Sequence, residues 1–199
     1  MKLLVATNNA GKVRELAGLL RGLPVELVSL SDIDGIAEVE ETGATFEENA
    51  ILKARGYALQ SGRWALADDS GLEIEALGNR PGVLSARYGG EGAGFGKKME
   101  MLLAELAAAA GDNRRARFVS VIAVADEKGE IKYTAEGIVS GRIAGAPRGS
   151  NGFGYDPIFA PDGFEATFGE LSNDIKEQIS HRARASSKII GFLRDFTGG

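Results

Sequence analysis

The 199-residue chain contains no cysteine. Disulfides and thiolate metal sites are therefore excluded, and a cytoplasmic location is the expectation this leaves. Histidine occurs once, as His181, so a multi-histidine zinc site is impossible and a serine–histidine triad must use that residue or not exist. No apolar run approaches the length of a membrane span, and the N-terminus lacks a basic segment followed by a long apolar one. Positive charge is also short, with 23 Lys and Arg against 28 Asp and Glu and a net charge of −5. That balance argues against a general grip on DNA or RNA. It leaves room for a local basic pocket around a small phosphorylated ligand. The Walker pattern G-x-x-x-x-G-K-[ST] is absent, and Gly89 to Gly96 holds no complete G-x-G-x-x-G. What is present is apolar material, 44% of residues, enough for the core of one domain or of one domain with two lobes.

The chain is organised around Ala67-Asp68-Asp69-Ser70-Gly71-Leu72-Glu73-Ile74. The run Trp64-Ala65-Leu66-Ala67 leads into two adjacent carboxylates, and alternation resumes with Leu72, Ile74 and Ala76. The period predicts a buried strand, a polar break and a second strand. Two charges at the end of a buried strand are costly unless compensated. A metal ion, a basic side chain or a cluster of backbone N–H groups would each serve. A plain turn with local Asp hydrogen bonds is the alternative.

At the N-terminus, Lys2–Ala6 reads as a strand, and Thr7-Asn8-Asn9-Ala10-Gly11-Lys12 leads into a helix with Val13, Leu16, Ala17 and Leu20 inward. Strand, small polar loop and helix is an arrangement that aims N–H groups at an anion. It is equally an ordinary turn with Asn as cap. Residues 25–30 read as a second strand, followed by an acidic irregular stretch to Glu41. Thr45 and Glu48 form a capping box for a helix burying Phe46, Ala50, Ala54, Tyr57 and Ala58, with Asn49 and Lys53 on another flank. Arg80-Pro81-Gly82-Val83 reads as a turn, and residues 99–110 as a helix with Leu102, Leu103, Leu106 and Ala110 inward. Residues 118–126 and 131–143 form a hairpin through Gly129. A short strand is expected at 158–160, after Phe153-Gly154-Tyr155-Asp156-Pro157, whose two aromatics are either core or a platform for a flat ring. Lys176 to Arg182 precedes a last helix with Ser180 as cap and Ala185, Ile189, Phe192, Leu193 and Phe196 buried. His181 and Arg182 at that N-terminus oppose the helix dipole, which suggests an anionic or acceptor-rich ligand, the alternative being an exposed neutral His and a solvated Arg.

Six segments in order resemble the inosine triphosphate pyrophosphatase family, from Thr7 to about Ala185. They are Thr7-Asn8-x-x-Gly11-Lys12, Thr42-Gly43-x-Thr45-Phe46-x-x-Asn49-Ala50-x-x-Lys53-Ala54, Ala67 to Leu72, Pro81-Gly82-Val83-x-Ser85-Ala86-Arg87-Tyr88, Gly152 to Pro157, and Lys176-x-x-x-Ser180-His181-Arg182. The resemblance implies an α/β fold in which a long mixed central sheet with flanking helices spans two lobes, the substrate lying in the cleft between them. It implies hydrolysis of ITP, dITP and XTP to the monophosphate and pyrophosphate, and a homodimer. Thr7, Asn8, Asn9, Ala10, Gly11 and Lys12 match the segment that holds the triphosphate, and Lys53 adds charge there. Glu41 and Asp69 match the metal positions, with Asp69 the base. Ser70, Phe153, Gly154, Tyr155, Asp156, Lys176, His181 and Arg182 match substrate-binding positions. Glu40 adjoins Glu41 and leaves two candidates for one metal position. Asp68, pointing oppositely to Asp69 in a regular strand, takes a supporting role.

The chemistry is consistent with these residue types. Lysines and N–H groups neutralise part of a triphosphate, and Mg²⁺, held by one or two carboxylates plus phosphate, supplies the remainder. A carboxylate beside the metal orients or deprotonates water for attack at the α-phosphorus. Two rivals are a Maf-like nucleotide pyrophosphatase of other base specificity and a non-catalytic nucleotide sensor.

Overall fold

Runs of apolar residues that are buried on both faces form parallel strands, and Leu3-Leu4-Val5 and Ala65-Leu66-Ala67 are such runs. In the computed structural model, which describes residues 2–90, 92–109 and 111–197, they lie side by side. Strands β1 (Lys2–Val5), β2 (Glu26–Ser29), β3 (Trp64–Ile74), β4 (Arg80–Pro81), β5 (Arg115–Ala125), β6 (Ile131–Ile143) and β7 (Phe159–Pro161) form one mixed sheet of order β2-β1-β3-β5-β6-β7, with β4 beside β3. Five α-helices accompany them: α1 (Ala10–Leu19), α2 (Phe46–Ser61), α3 (Phe95–Ala108), α4 (Asn173–Ile179) and α5 (His181–Thr197). The chain divides into two compact units, and β3, β5 and β6 each contribute residues to both.

The first unit comprises Met1–Asp69, Ser120–Gly137 and His181–Gly199. Here β1 pairs in parallel with β2, Lys2 opposite Glu26, and with β3, Leu3 opposite Trp64. Asn9 caps α1, its Oδ1 accepting from the N–H groups of Gly11 at 2.9 Å and Lys12 at 3.2 Å. The capping box of Thr45 and Glu48 opens α2, and Gly62 in the left-handed region closes it. Leu3, Val5, Leu16, Leu66, Ile122, Val124, Ile189 and Leu193 share the core. The predicted stripe of α5 holds for Ala185, Ile189 and Leu193, but Phe196 is 51% exposed. It lies beyond the core's edge and packs on Trp64 instead, ring centroids 4.5 Å apart. Ala17, expected inward, faces solvent because α1 buries only Gly11 and Leu16. The hairpin closes through Asp126 N–H to Glu130 O at 3.0 Å. Gly137 on β6 admits the start of α5, since a Cβ there would lie 2.1 Å from His181 O.

The second unit comprises Ser70–Val119 and Ile138–Ser180. Its antiparallel pairs set Glu73 opposite Pro81 and Ile143 opposite Phe159. Leu72, Ile74, Leu102, Leu106, Phe118, Ile158, Phe159 and Phe168 form its core. α3 starts earlier than expected, Leu103 is only half-buried, and Ala110 lies outside the described residues.

Three local expectations change. β3 is one continuous strand of 11 residues rather than two strands around a break. Its carboxylates are compensated by cations, so the ladder need not open to hydrate them. Arg80-Pro81 is a two-residue strand on β3 rather than only a turn. Lys176 lies on α4, a helix of its own capped by Ser172.

Candidate active site

Successive residues of a strand face opposite ways, and Asp68 and Asp69 accordingly take different partners. Asp68 Oδ2 accepts from Lys12 Nζ at 2.8 Å and Arg182 Nη2 at 3.2 Å, while its Oδ1 accepts from Ser120 Oγ. Asp69 Oδ1 accepts from Lys53 Nζ at 2.8 Å, and the same ammonium reaches Glu41 Oε1 at 2.6 Å. Arg182 also pairs with Glu15 on α1. The first unit thus gathers Lys12, Lys53 and Arg182 with Glu15, Glu41, Asp68 and Asp69 from α1, α2, α5, β3 and the stretch before α2.

Burial sets the electrostatics, because charges removed from water interact more strongly. Burial alone would raise the Asp68 carboxyl, but Arg182 and Lys12 outweigh it and hold that group well below the usual range. Asp69 moves the other way: burial raises it, and Lys53 and Lys12 only partly oppose the rise. Burial lowers the Lys12 ammonium, with Asp68 resisting. For Lys53 burial also pushes down, yet Asp69 and Glu41 carry it above its ordinary value. The environments of these two neighbouring carboxylates thus displace their pKa values in opposite directions.

Asp69 Oδ2 is buried and accepts no hydrogen bond among the described residues. Among them, no group of three or more His, Asp or Glu side chains is placed to hold a metal ion. Asp69 and Glu41 alone offer two carboxylates, which fits a cation that takes the rest of its ligands from phosphate and water. Among the described residues Lys12, Lys53 and Arg182 are paired with Glu15, Glu41, Asp68 and Asp69.

The loop before α1 places Thr7, Asn8, Asn9 and Ala10 ahead of Lys12. Thr7 Oγ1 accepts from Asn9 N–H at 3.2 Å, and Asn8 and Ala10 are exposed. Ser70 follows Asp69 on β3 and is half-buried. His181 opens α5 and is buried beside Arg182 in sequence.

The remaining predicted residues lie in the second unit. Asp156 is buried and accepts from Phe153 N–H at 2.7 Å and from Lys176 Nζ. The Lys176 ammonium lies 4.9 Å from the Phe153 ring centroid, a cation–π separation. Gly152, at φ +70°, is required as glycine, since a Cβ would lie 2.0 Å from Asp156 Oδ2. Tyr155 turns away into the core, donating its hydroxyl to Ser85 O at 2.9 Å and meeting Phe95 edge-on at 5.2 Å. Of the two aromatics, Tyr155 is core and Phe153 stands with the lysine.

Two participants were missed in the sequence. Glu15 sits three residues after Lys12, and i,i+3 positions share a helix face. Ser120 interrupts the apolar run Phe118 to Val124, and a lone polar residue in a buried strand needs a partner. Both signals were legible.

The chain matches the sequence profile of the Ham1 family over residues 3–192. It belongs to that family. A protein of Desulforamulus reducens named dITP/XTP pyrophosphatase is 47% identical over 97% of this chain and 96% of its own length. One of the same name from Bacillus subtilis is 47% identical, covering 96% of each chain. The solved structure of a HAM1 protein from Coxiella burnetii superposes with a TM-score of 0.90 at 40% identity, over 98% of this chain and 99% of that one. The dITP/XTP pyrophosphatase of Mycobacterium abscessus gives 0.76 at 46% identity, over 95% and 98%.

Proposed function

We propose that this Ham1-family chain hydrolyses non-standard purine nucleoside triphosphates, ITP, dITP and XTP, to the monophosphate and pyrophosphate. The observation that carries this reading is the buried Asp69, held by Lys53 beside Glu41, in a chain whose near-full-length relatives bear the name dITP/XTP pyrophosphatase. Lys12, Lys53 and the segment from Thr7 bind the phosphates. Asn9 already engages the N–H groups of Gly11 and Lys12, so the Lys12 ammonium carries more of that grip than the backbone there.

Glu41 and Asp69 are the residues that would hold Mg²⁺, supported by the unpartnered Asp69 oxygen. When bound, the ion neutralises phosphate charge and lowers the pKa of water. Asp69 takes the proton of the attacking water, while Asp68 stays ionised and keeps Lys12 and Arg182 in place. In the second unit Phe153 stacks on the purine and Lys176 donates to the oxygen at C6. Ser70, His181 and Arg182 complete the family's substrate positions, with Tyr155 supporting Phe153 from the core. A sensor would need no general base, and Asp69 with its partners speaks against that alternative. The family resemblance also supports a homodimer, which light scattering of the purified protein tests, and a cytoplasmic enzyme. Among the described residues no helix is long and apolar enough to cross a membrane.

The deciding experiment measures pyrophosphate release from ITP, XTP, dITP, GTP, ATP and pyrimidine triphosphates, with and without Mg²⁺. Preference for the first three with Mg²⁺ is expected. Equal turnover of ATP, or preference for a pyrimidine, overturns the substrate assignment.

A further inference from the structure

The stretch ahead of α2 has no regular secondary structure over residues 36–43, yet it is tied to α2 rung by rung. Gln60 accepts from Ala37 N–H at 2.7 Å and donates to Ala37 O at 3.2 Å. One turn earlier, Tyr57 Oη accepts from Val39 N–H at 3.4 Å, and Val39 lies over Gly56. The next turn brings Lys53 to Glu41 at 2.6 Å. The last brings Asn49 Oδ1 to Gly43 N–H at 2.7 Å. Every second residue of the extended stretch therefore meets one turn of the helix, running antiparallel to it. Ala37 to Gly43 covers about 20 Å as extended chain, and Gln60 to Asn49 about 16 Å as helix. Side chains of different reach absorb the difference. The alternation also separates the acidic neighbours: Glu41 is half-buried on the helix side, while Glu38 and Glu40 are exposed.

We infer that this face of α2 is a template that sets the register of residues 37–43, and that Gly56 and Asn49 are positioning residues for Glu41. The inference rests on the reading of Glu41 as a working carboxylate and adds what holds it there. Gly56 is the sensitive rung. A Cβ at that position would lie 2.7 Å from Val39 Cγ2 and 3.1 Å from Cγ1, but at an ordinary 3.5 Å from Val39 Cβ. Alanine at 56 thus pushes the rung beside Glu41 outward while itself favouring the helix. Removing the two methyl groups of Val39 relieves the collision. Asn49 sets the far side: a Cβ on Gly43 would lie 2.7 Å from its Oδ1, so the backbone of Gly43 is seated against the amide.

The test uses the full chain in four forms: wild type, Glu41→Gln, Gly56→Ala, and Gly56→Ala with Val39→Ala. Amide hydrogen exchange reads the ladder directly, and turnover of ITP across a Mg²⁺ titration reads its consequence. In wild type the amides of Ala37, Val39 and Gly43 are expected to exchange more slowly than those of Glu38, Glu40 and Thr42. Gly56→Ala is expected to erase that alternation and lower kcat about tenfold, since displacements of an ångström cost on that scale or more. It should raise the Mg²⁺ concentration needed for half-maximal rate, with Tm held or increased. The double variant is expected to regain both the exchange pattern and the rate, a rescue that general disruption of α2 would not allow. Loss of turnover in Glu41→Gln with wild-type exchange and rate in Gly56→Ala overturns the template alone. Full turnover in Glu41→Gln overturns the role of Glu41, and the positioning inference with it.

Discussion

Lys12 and Lys53 donate to the same main-chain oxygen, Asp68 O, at 3.2 and 3.0 Å. Their side chains then part, Lys12 to the Asp68 carboxylate and Lys53 to Asp69. One carbonyl thus holds two buried ammonium groups that would otherwise repel, and Lys53 does contribute to lowering the Lys12 pKa. The arrangement keeps two positive charges together at the point where the strand turns from one carboxylate to the next.

Asp69→Asn removes the proton acceptor while preserving shape. Loss of a general base typically costs about 10²–10⁴-fold in rate, and that fall is expected in kcat for ITP, with KM altered far less. Circular dichroism and Tm should stay near wild type, because Lys53 retains Glu41 and Asp68 O. Near-normal kcat in the folded variant would place the base elsewhere.

Lys53→Ala is expected to weaken ITP and GTP by similar factors, as both carry the same triphosphate. Hydrogen bonds to charged groups are worth roughly 1.5–3 kcal/mol, so kcat/KM for each should drop by one to two orders of magnitude. The ratio between the two nucleotides is the control. A changed ratio with unchanged triphosphate affinity would remove Lys53 from the phosphates.

Much of this is legible in the sequence, and the exceptions have physical causes. Caps and turns are local, so Asn9, the Thr45–Glu48 box and the Gly129 hairpin were legible from neighbouring residues alone. The two carboxylates of β3 were correctly seen to need compensation. Their continuity with the strand was not seen, because the compensating Lys12 and Arg182 are 56 and 114 residues away in sequence. Phe196 failed for a related reason. Periodicity extends a helix stripe as far as the pattern runs, whereas burial ends where the sheet beneath it ends. The ladder from Gln60 to Asn49 was hidden differently: neither the irregular stretch nor the helix shows the pairing by itself. It exists only in the match between a period of two and a period of 3.6.

Asp68 and Arg182 give a prediction about acid stability, measured on the metal-free protein. Asp68 has a folded pKa well below its ordinary value, chiefly because Arg182 and Lys12 outweigh burial. A depressed carboxylate stabilises the fold above the unfolded pKa, about 3.9 for aspartate, and that contribution is lost as pH falls toward the folded value. Asp68→Asn removes the charge at every pH. At pH 7 the variant should be less stable by about 3–5 kcal/mol, the usual cost of leaving one partner of a buried pair alone. The gap to wild type should then narrow below pH 4. A gap in urea midpoints that stays constant down to pH 2 would mean that Asp68 contributes through packing rather than charge.

The last prediction concerns how the base is chosen, and the structure distinguishes two cations among the substrate positions, Lys176 and Arg182. Arg182 is 1% exposed and spans Asp68 and Glu15, so its guanidinium already serves the fold of the first unit. Lys176 stands over the Phe153 ring while paired with Asp156, and its ammonium is the donor assigned to the C6 edge of a bound purine. Hypoxanthine and xanthine carry an oxygen at C6, whereas adenine carries an amino group. An ammonium is a donor only, so adenine sets donor against donor, a mismatch that rejects strongly. Lys176→Gln keeps a donor but adds an acceptor that tolerates the adenine amine. It is expected to lower kcat/KM for ITP while raising it for ATP, narrowing their ratio by at least an order of magnitude. Arg182→Lys should instead reduce both nucleotides together and lower Tm, because lysine lacks the planar fork whose Nη1 serves Glu15 while Nη2 serves Asp68. The measurement is kcat/KM for ITP and ATP on the three proteins, with Tm alongside. An unchanged ratio in Lys176→Gln and a narrowed one in Arg182→Lys would reverse the two roles, making Arg182 the residue that reads C6.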